Sequence, residues 1–181
     1  MNHYNSVLFG LPANLIQRLQ SVQNSAARLI FWIRRSEHIT PALTSLNWLR
    51  VPERISFKLA GMTYRSIHGT SPSYLQSCFI RVSDMTSRRR LRSSTSHCVE
   101  VPPVRLSTVG RRAFPVSGAT VWNDLPLHVA SASSLAVFRQ RLETFLFSSS
   151  YQDTIISLML TLLPFITTVW TPVVLAIINI I

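Results

Sequence analysis

The sequence predicts a mainly α fold: a small helical bundle with a short β-hairpin and a hydrophobic C-terminal helix. Two segments, 16–33 and 55–67, repeat apolar residues at helical spacing. Pro41 and Pro52 stand at helix starts, where proline is tolerated because its missing N–H would have no partner within the helix. Residues 154–181 carry no charged side chain, so an apolar tail follows a strongly basic remainder.

Composition limits the classes of protein and partner. The 181 residues suit one domain of ordinary size, and their formal net charge is +11. Lys58 is the only lysine, and arginine is the better residue for bidentate phosphate contacts and for stacking. We therefore expect RNA or DNA, or an anionic membrane surface, as partner. The alternative is a solvated basic face that binds nothing.

The cysteine content and the N-terminal sequence predict the cellular compartment of the protein. Only Cys78 and Cys98 are present, which argues against a disulfide framework and favours a reducing environment. The N-terminal residues lack the basic patch, apolar run and cleavage site of a secretory signal. The expected location is the nucleus or cytoplasm if the tail is not used, and a membrane if it inserts.

An irregular N-terminus, 1–13, is expected to precede a helical core at 14–81. In this core, helices that start at Thr40 and Pro52 form a pair, with Trp48 as a core residue near their corner. Gly69 stands where a glycine would end the second of them. The helix before this pair is expected to pack on it through an apolar stripe, formed by Ile16, Leu19, Val22, Ala26, Leu29 and Ile33.

Residues 82–98 form a predicted linker rich in arginine, serine and threonine. Few apolar residues interrupt it, which is typical of a loop or a disordered segment. Three interpretations stay open: a nucleic-acid contact, a nuclear localisation patch and a plain solvated linker. The basic cluster in this linker consists of Arg88, Arg89, Arg90 and Arg92.

The spacing of apolar residues changes at the start of the region 99–150, from helical spacing to alternation. Valines alternate with charged residues from Val99 onwards, and this pattern predicts a short β-hairpin within 99–117, kept at an edge by its prolines. A short helix at 118–122 should follow. Ser133 or Ser134 should then cap a last amphipathic helix.

The tail within 151–181 is long enough to span a bilayer, because about 20 apolar residues suffice. Residues 154–181 would then form the hydrophobic C-terminal helix of a single-pass anchor, with the N-terminal part in the cytosol. Pro164 and Pro172 interrupt it. A buried strand-like segment and an accidental extension of the reading frame are the alternatives.

The residues contain no recognisable active site. Two-metal polymerases and nucleases need clustered carboxylates, and the seven acidic residues here are scattered. His97 and Cys98 are the only neighbouring His–Cys pair, and no Cys-x-x-Cys spacing supports a zinc site. His38 has no nucleophile in a recognisable elbow near it, and no glycine-rich phosphate loop is present. We expect no catalytic residue, metal, cofactor or small-molecule substrate.

Several blocks of sequence resemble one family in the same order. They are LQSVQNSAARLI (19–30), RRSEHITPALTSLNWLRVPERISFKLAGMTYRSIHGTSPSYL (34–75), RRRLRSS (88–94), GRRAFPVSGATVWNDLP (110–126) and SLAVFRQRLETFLF (134–147). Together they resemble the C-terminal region of the reverse transcriptase polyprotein of non-LTR retrotransposons, most of all the jockey, CR1 and L2 type of LINE element. The resemblance covers roughly residues 14–147.

This resemblance implies a non-catalytic part of an RNA-directed DNA polymerase. The aromatic-x-Asp-Asp motif of the family's palm is absent, as is its endonuclease, so no catalytic residue carries over. The region implied is the thumb-side, post-polymerase segment, whose basic helices would hold RNA or DNA by its backbone. A tail-anchored membrane protein and a non-functional relic are the rival hypotheses. The candidate nucleic-acid-binding residues are Arg18, Arg28, Arg34, Arg35, Arg54, Lys58, Arg88, Arg89, Arg90, Arg92, Arg111 and Arg112.

Overall fold

The computed structural model describes residues 8–85 and 97–152. Within these ranges the chain is mainly helical, as the sequence predicts. Helices α3, α6 and α8 form the central packing unit, and α1 and α2 pack beside it. The elements in order are α1 (Ala13–Phe31), α2 (Thr40–Ser45), α3 (Val51–Ile67), α4 (Ser73–Gln76), a 3-10 turn (Val82–Asp84), α5 (Ser107–Gly110), α6 (Phe114–Asn123), α7 (Leu127–Ala130) and α8 (Leu135–Ser150).

The main core lies where α3 meets α6 and α8. Leu59 of α3 and Phe138 of α8 are both fully buried. The ring of Tyr64 stacks on Phe138 with centroids 4.4 Å apart, and Trp122 also stacks with Phe138, at 5.8 Å. The Tyr64 hydroxyl donates to the carbonyl of Ala132 at 3.1 Å, which satisfies the polar end of a buried ring.

Helix α6 approaches α3 closely because Gly118 lies at the contact. A Cβ atom at this position would lie 2.6 Å from Thr63 Oγ1 and 2.8 Å from Phe79 Cζ. Phe79 is held edge-on against Phe114, with centroids 5.2 Å apart. Only glycine leaves room for this approach.

Local signals set most helix starts and stops. Pro41, Pro52 and Pro115 all lie in the first turn of their helices. The Ser134 hydroxyl accepts from the Val137 N–H at 3.3 Å, so Ser134 is the cap of α8. Gly69, with φ of 71°, follows the end of α3, as predicted.

A second, smaller core joins the end of α8 to α1 and α2. Its buried members are Ala27, Ala42, Leu43 and Tyr151, and Trp48 packs against them partly buried. The position of Trp48 beside a core agrees with the sequence prediction. Distant parts of the chain therefore meet at this cluster.

The predicted hairpin within 99–117 is wrong for the described residues. Val99 forms one isolated antiparallel bridge with Arg81, and the segment that follows carries helices α5 and α6. The Asn123 side chain takes the place of a second strand, since it accepts from the Val99 N–H at 3.0 Å and donates to the Val99 carbonyl at 2.9 Å. Pro102 and Pro103 have no N–H to continue a ladder.

The packing face of α1 also differs from the prediction. The buried residues of this helix are Gln23 and Ala27, whereas Leu19, Val22 and Leu29 of the predicted stripe are exposed. Side-chain hydrogen bonds explain the difference. Gln23 Nε2 donates to the Leu49 carbonyl at 2.8 Å, and the Val51 N–H donates to Gln20 Oε1 at 2.9 Å.

Two predicted features lie outside the described residues. They are the basic cluster Arg88, Arg89, Arg90 and Arg92 and the hydrophobic C-terminal helix at 154–181. Within 8–85 and 97–152, no helix combines the length and the apolar character that crossing a membrane requires.

Candidate nucleic-acid interface

An exposed tryptophan ends helix α1. Trp32 is the C-cap residue with φ 54° and ψ 35°, and 93% of its surface is exposed. Left-handed backbone at a helix end is usually supplied by glycine or asparagine, because a Cβ atom is disfavoured there. A bulky aromatic in this conformation is an outlier that points to a functional use.

The chain after Trp32 folds back against the last turn of α1. The Ile33 N–H donates to the Arg28 carbonyl at 3.1 Å. Arg28 Nη2 lies 3.5 Å from the carbonyl of Arg35 and 3.4 Å from that of Glu37, and donates to both. Arg28 therefore holds the turn, and the turn carries the exposed side chains of Arg34 and Arg35.

These residues enclose an open groove of about 710 Å³. One wall is α1, and the other is the turn that follows it. Three guanidinium groups and an exposed indole ring thus border one concavity. The lining residues are Ser21, Ser25, Arg28, Leu29, Trp32, Ile33, Arg34 and Arg35.

Arg18 extends this surface along α1. Arg18, Ser21, Ser25 and Arg28 follow one another at steps of three, four and three residues, so they share one helix face. Arg18 and Arg28 are ten residues apart, which corresponds to about 15 Å along the axis. Arg18 therefore shares a face of α1 with Arg28, which lines the groove together with Arg34 and Arg35.

Among the described residues, the other predicted positions, at Arg54, Lys58, Arg111 and Arg112, do not line this groove. Arg54 and Lys58 are exposed on α3, one turn apart, and Arg111 is exposed after α5. Arg112 has a structural contact, because its Nη2 donates to the Gly10 carbonyl at 3.3 Å. The structure therefore separates the arginines that line the groove, Arg28, Arg34 and Arg35, from these other positions.

Comparisons with known proteins give no counterpart of this site. The chain matches no protein-family model, no curated protein and no solved structure. The side chains that line the groove therefore define its chemistry.

The described histidines and cysteines give less support for a functional site than the groove residues do. His68, Arg81 and His97 border a small pocket of about 170 Å³ beside Trp122. Among residues 8–85 and 97–152, no three histidine, cysteine or acidic side chains are grouped as metal ligands. Burial raises the pKa of the Cys78 thiol above its ordinary value, which lowers the fraction of reactive thiolate.

Sequence reasoning missed Trp32, Ser21 and Ser25 in this site. In the sequence, Trp32 is one more apolar residue at the end of an amphipathic helix. The available signal was Arg34-Arg35, basic residues that favour a nearby helix end, without the glycine that is usual after such an end.

Proposed function

We propose that this chain binds single-stranded RNA or DNA at the groove formed by Arg28, Trp32, Arg34 and Arg35. The observation that carries the proposal is the indole of Trp32, almost fully exposed beside three arginines. In water, a free tryptophan ring at a strained backbone position has an energetic cost and no packing benefit. A stacked base supplies that benefit.

Each group has a distinct role in the proposed complex. The exposed guanidinium groups of Arg34 and Arg35 bind phosphate oxygens, which gives affinity without sequence preference. Trp32 stacks on an unpaired base, a contact worth about 1–3 kcal/mol by alanine substitution in other proteins. Arg28 positions the turn through its carbonyl contacts and adds positive charge. A duplex offers phosphates but no free base face, so single strands bind more tightly.

We further propose that this binding belongs to a non-catalytic, post-polymerase part of a LINE-type reverse transcriptase. The order of the sequence blocks over residues 14–147 supports this origin. The blocks include 19–30 and 34–75, which contain most of α1 and the groove arginines on either side of Trp32. In this role the groove holds template or element RNA while other parts of the polyprotein supply chemistry.

The test is binding of the full chain to fluorescein-labelled single-stranded RNA and to a duplex DNA of equal length. We expect single strands to bind more tightly, and affinity to fall as salt rises, because bound phosphates release counterions. Trp32→Ala should weaken single-strand binding by about tenfold, within the range for loss of one stacked base. Trp32→Phe should restore much of it.

A matched pair of charge variants locates the site. Arg34→Gln with Arg35→Gln should reduce both the affinity and the salt dependence, by about one unit of slope for each phosphate that is no longer bound. Arg54→Gln with Lys58→Gln removes the same charge from α3, outside the groove, and should have a much smaller effect. An equal decrease in affinity for both pairs would show diffuse attraction by net charge and would reject the groove.

A further inference from the structure

A small cavity of about 170 Å³ lies between the end of α3, helix α6 and the segment that precedes α8. It is bordered by His68, Arg81 and His97 and is called the histidine pocket below. Two imidazole rings and a guanidinium group thus surround one space. Among the residues that the structure describes, no carboxylate lines this pocket. A cavity with cationic groups and no lining acid attracts anions.

Hydrogen bonds between distant segments hold the walls of the histidine pocket. Arg81 Nη2 donates to the Ile67 carbonyl at 3.1 Å, which ties this side chain to the end of α3. The indole N–H of the buried Trp122 donates to the His97 carbonyl at 2.6 Å. The bridge between Arg81 and Val99 joins the two segments that carry Arg81 and His97. The walls are therefore in place before a ligand binds, which lowers the cost of binding.

The ring of His68 has a fixed orientation in the histidine pocket. It stacks on Tyr64, with centroids 3.9 Å apart, and its Nδ1 lies 2.9 Å from the Tyr64 carbonyl. A carbonyl can only accept, so Nδ1 is the donor in this contact and Nε2 is the ring nitrogen left for a ligand. Nε2 accepts a hydrogen bond when the ring is neutral and donates one when the ring is charged.

We propose that the histidine pocket binds a single phosphate group, either as the free ion or as a phosphate monoester. The three side chains at His68, Arg81 and His97 match the three terminal oxygens of a monoester, whereas a carboxylate has two. Guanidinium groups bind phosphate oxygens through strong, charge-assisted hydrogen bonds. Phosphate also suits both states of His68, because a P–OH donates to the neutral ring and a P–O⁻ accepts from the charged one.

The size of the histidine pocket sets how much of a ligand it holds. Sites for whole drug-sized ligands are usually about 300–1,000 Å³, so a cavity of about 170 Å³ suits one phosphate group and leaves the rest of a larger molecule outside. The histidine pocket shares no lining residue with the groove at Trp32. The proposal therefore stands apart from single-strand binding at that groove.

The test is isothermal titration calorimetry of the full chain with inorganic phosphate at pH 7 and constant ionic strength. We expect saturable binding of one phosphate per chain. His97→Ala should weaken it about tenfold, within the range for loss of one hydrogen bond to a charged group. The fold should tolerate this change, since the backbone carbonyl of His97 makes the contact with Trp122. The matched control, His128→Ala, removes an exposed histidine that does not line the pocket, and should bind phosphate like the native chain.

Sulfate is the comparison ion, because at this pH it has no proton to donate to His68. We expect sulfate to bind more weakly than phosphate. Equal affinities for the two ions would overturn phosphate as the ligand. Equal phosphate affinities of the native chain, His97→Ala and His128→Ala, or no saturable binding, would overturn the site.

A second titration distinguishes free phosphate from a strand end. It compares an RNA trinucleotide that carries a 5′-phosphate with the same trinucleotide that carries a 5′-hydroxyl. If a strand end is the source, the 5′-phosphate strengthens binding, and this gain is lost in His97→Ala but kept in Arg34→Gln with Arg35→Gln. If the free ion is the source, both strands bind equally, while inorganic phosphate still depends on His97. Failure of the groove would leave both results unchanged.

Discussion

The hydroxyl of Tyr151 donates a hydrogen bond to the backbone carbonyl of Trp48, 103 residues earlier in the chain. The guanidinium of Arg50 lies over the Tyr151 ring, 5.2 Å from its centroid, in a cation–π contact. Through these two contacts, the Tyr151 side chain at the end of α8 binds the segment that connects α2 to α3. Tyr151 also lies in the same buried cluster as Ala27 of α1.

Removal of this hydroxyl should destabilise the protein modestly. In Tyr151→Phe the ring and its contact with Arg50 remain, but the Trp48 carbonyl loses its partner. We expect the free energy of unfolding to fall by about 1 kcal/mol, the usual net value of one hydrogen bond. Urea titration at pH 7 measures the change. An unchanged midpoint would mean that water replaces the hydroxyl at no cost.

The difference in the free energy of unfolding between the native protein and Tyr151→Phe should depend on pH. Burial raises the pKa of Tyr151 above its ordinary value of 10.0, Arg50 opposes this shift, and Glu53 adds to it. A raised pKa in the fold means that the stabilising effect is complete below the unfolded pKa of 10.0 and is lost as pH rises through the folded pKa. The advantage of the native protein over Tyr151→Phe should therefore shrink in urea titrations from about pH 8 to about pH 11. A constant difference would contradict the assigned pKa shift.

Replacing two glycines by alanine should change the free energy of unfolding in opposite directions. In Gly118→Ala the new Cβ would meet Thr63 and Phe79 at distances too short for contact, so the helices must separate. We expect a loss of about 1–3 kcal/mol, as for overpacked cores. In Gly61→Ala no atom of the described residues outside the local helix lies within 4 Å of the new Cβ atom. The variant should gain about 0.5–1 kcal/mol, because alanine is the better helix former. Thermal unfolding of both variants measures the contrast.

Two buried serines should also respond differently. Ser117 is fully buried, and its hydroxyl has no hydrogen-bond partner among the described residues. Ser117→Ala removes an unsatisfied polar group, and we expect stability to rise by about 1 kcal/mol. Ser66 is also buried, but its hydroxyl donates to the Met62 carbonyl at 2.9 Å. Ser66→Ala should therefore be neutral or destabilising. Equal effects measured by urea titration would imply that Ser117 has a bound water.

Part of the fold was predictable from sequence because its signals are local. Pro52 starts α3, Gly69 ends it, and Ser134 caps α8, all through interactions within a few residues along the chain. The apolar period of 55–67 likewise identified α3, whose Ile55 and Leu59 are buried in the main core. The mainly helical class follows from such signals, whatever the tertiary arrangement.

The sequence predicted the candidate arginine and lysine positions, but it did not predict which of them lie together in the fold. Charge and composition identified Arg34, Arg35, Arg54 and Lys58 together, because a sequence gives no distances between helices. The turn held by Arg28 then separates the first two from the last two. Trp32 was missed for the same reason, since its exposure depends on how α1 ends and what packs beside it.

The sequence by itself determined where helices start, stop and repeat their apolar residues, because capping and periodicity act over one or two turns. Tertiary structure alone decided which face of α1 is buried. The periodicity favoured the face that carries Leu19, Val22 and Leu29. Instead, Gln20 and Gln23 satisfy backbone groups around the start of α3, and Ala27 is buried in the second core. Likewise, Val99 paired with Arg81 and Asn123 instead of a hairpin partner. In both places hydrogen bonds and steric fit between distant residues outweighed a local hydrophobic pattern.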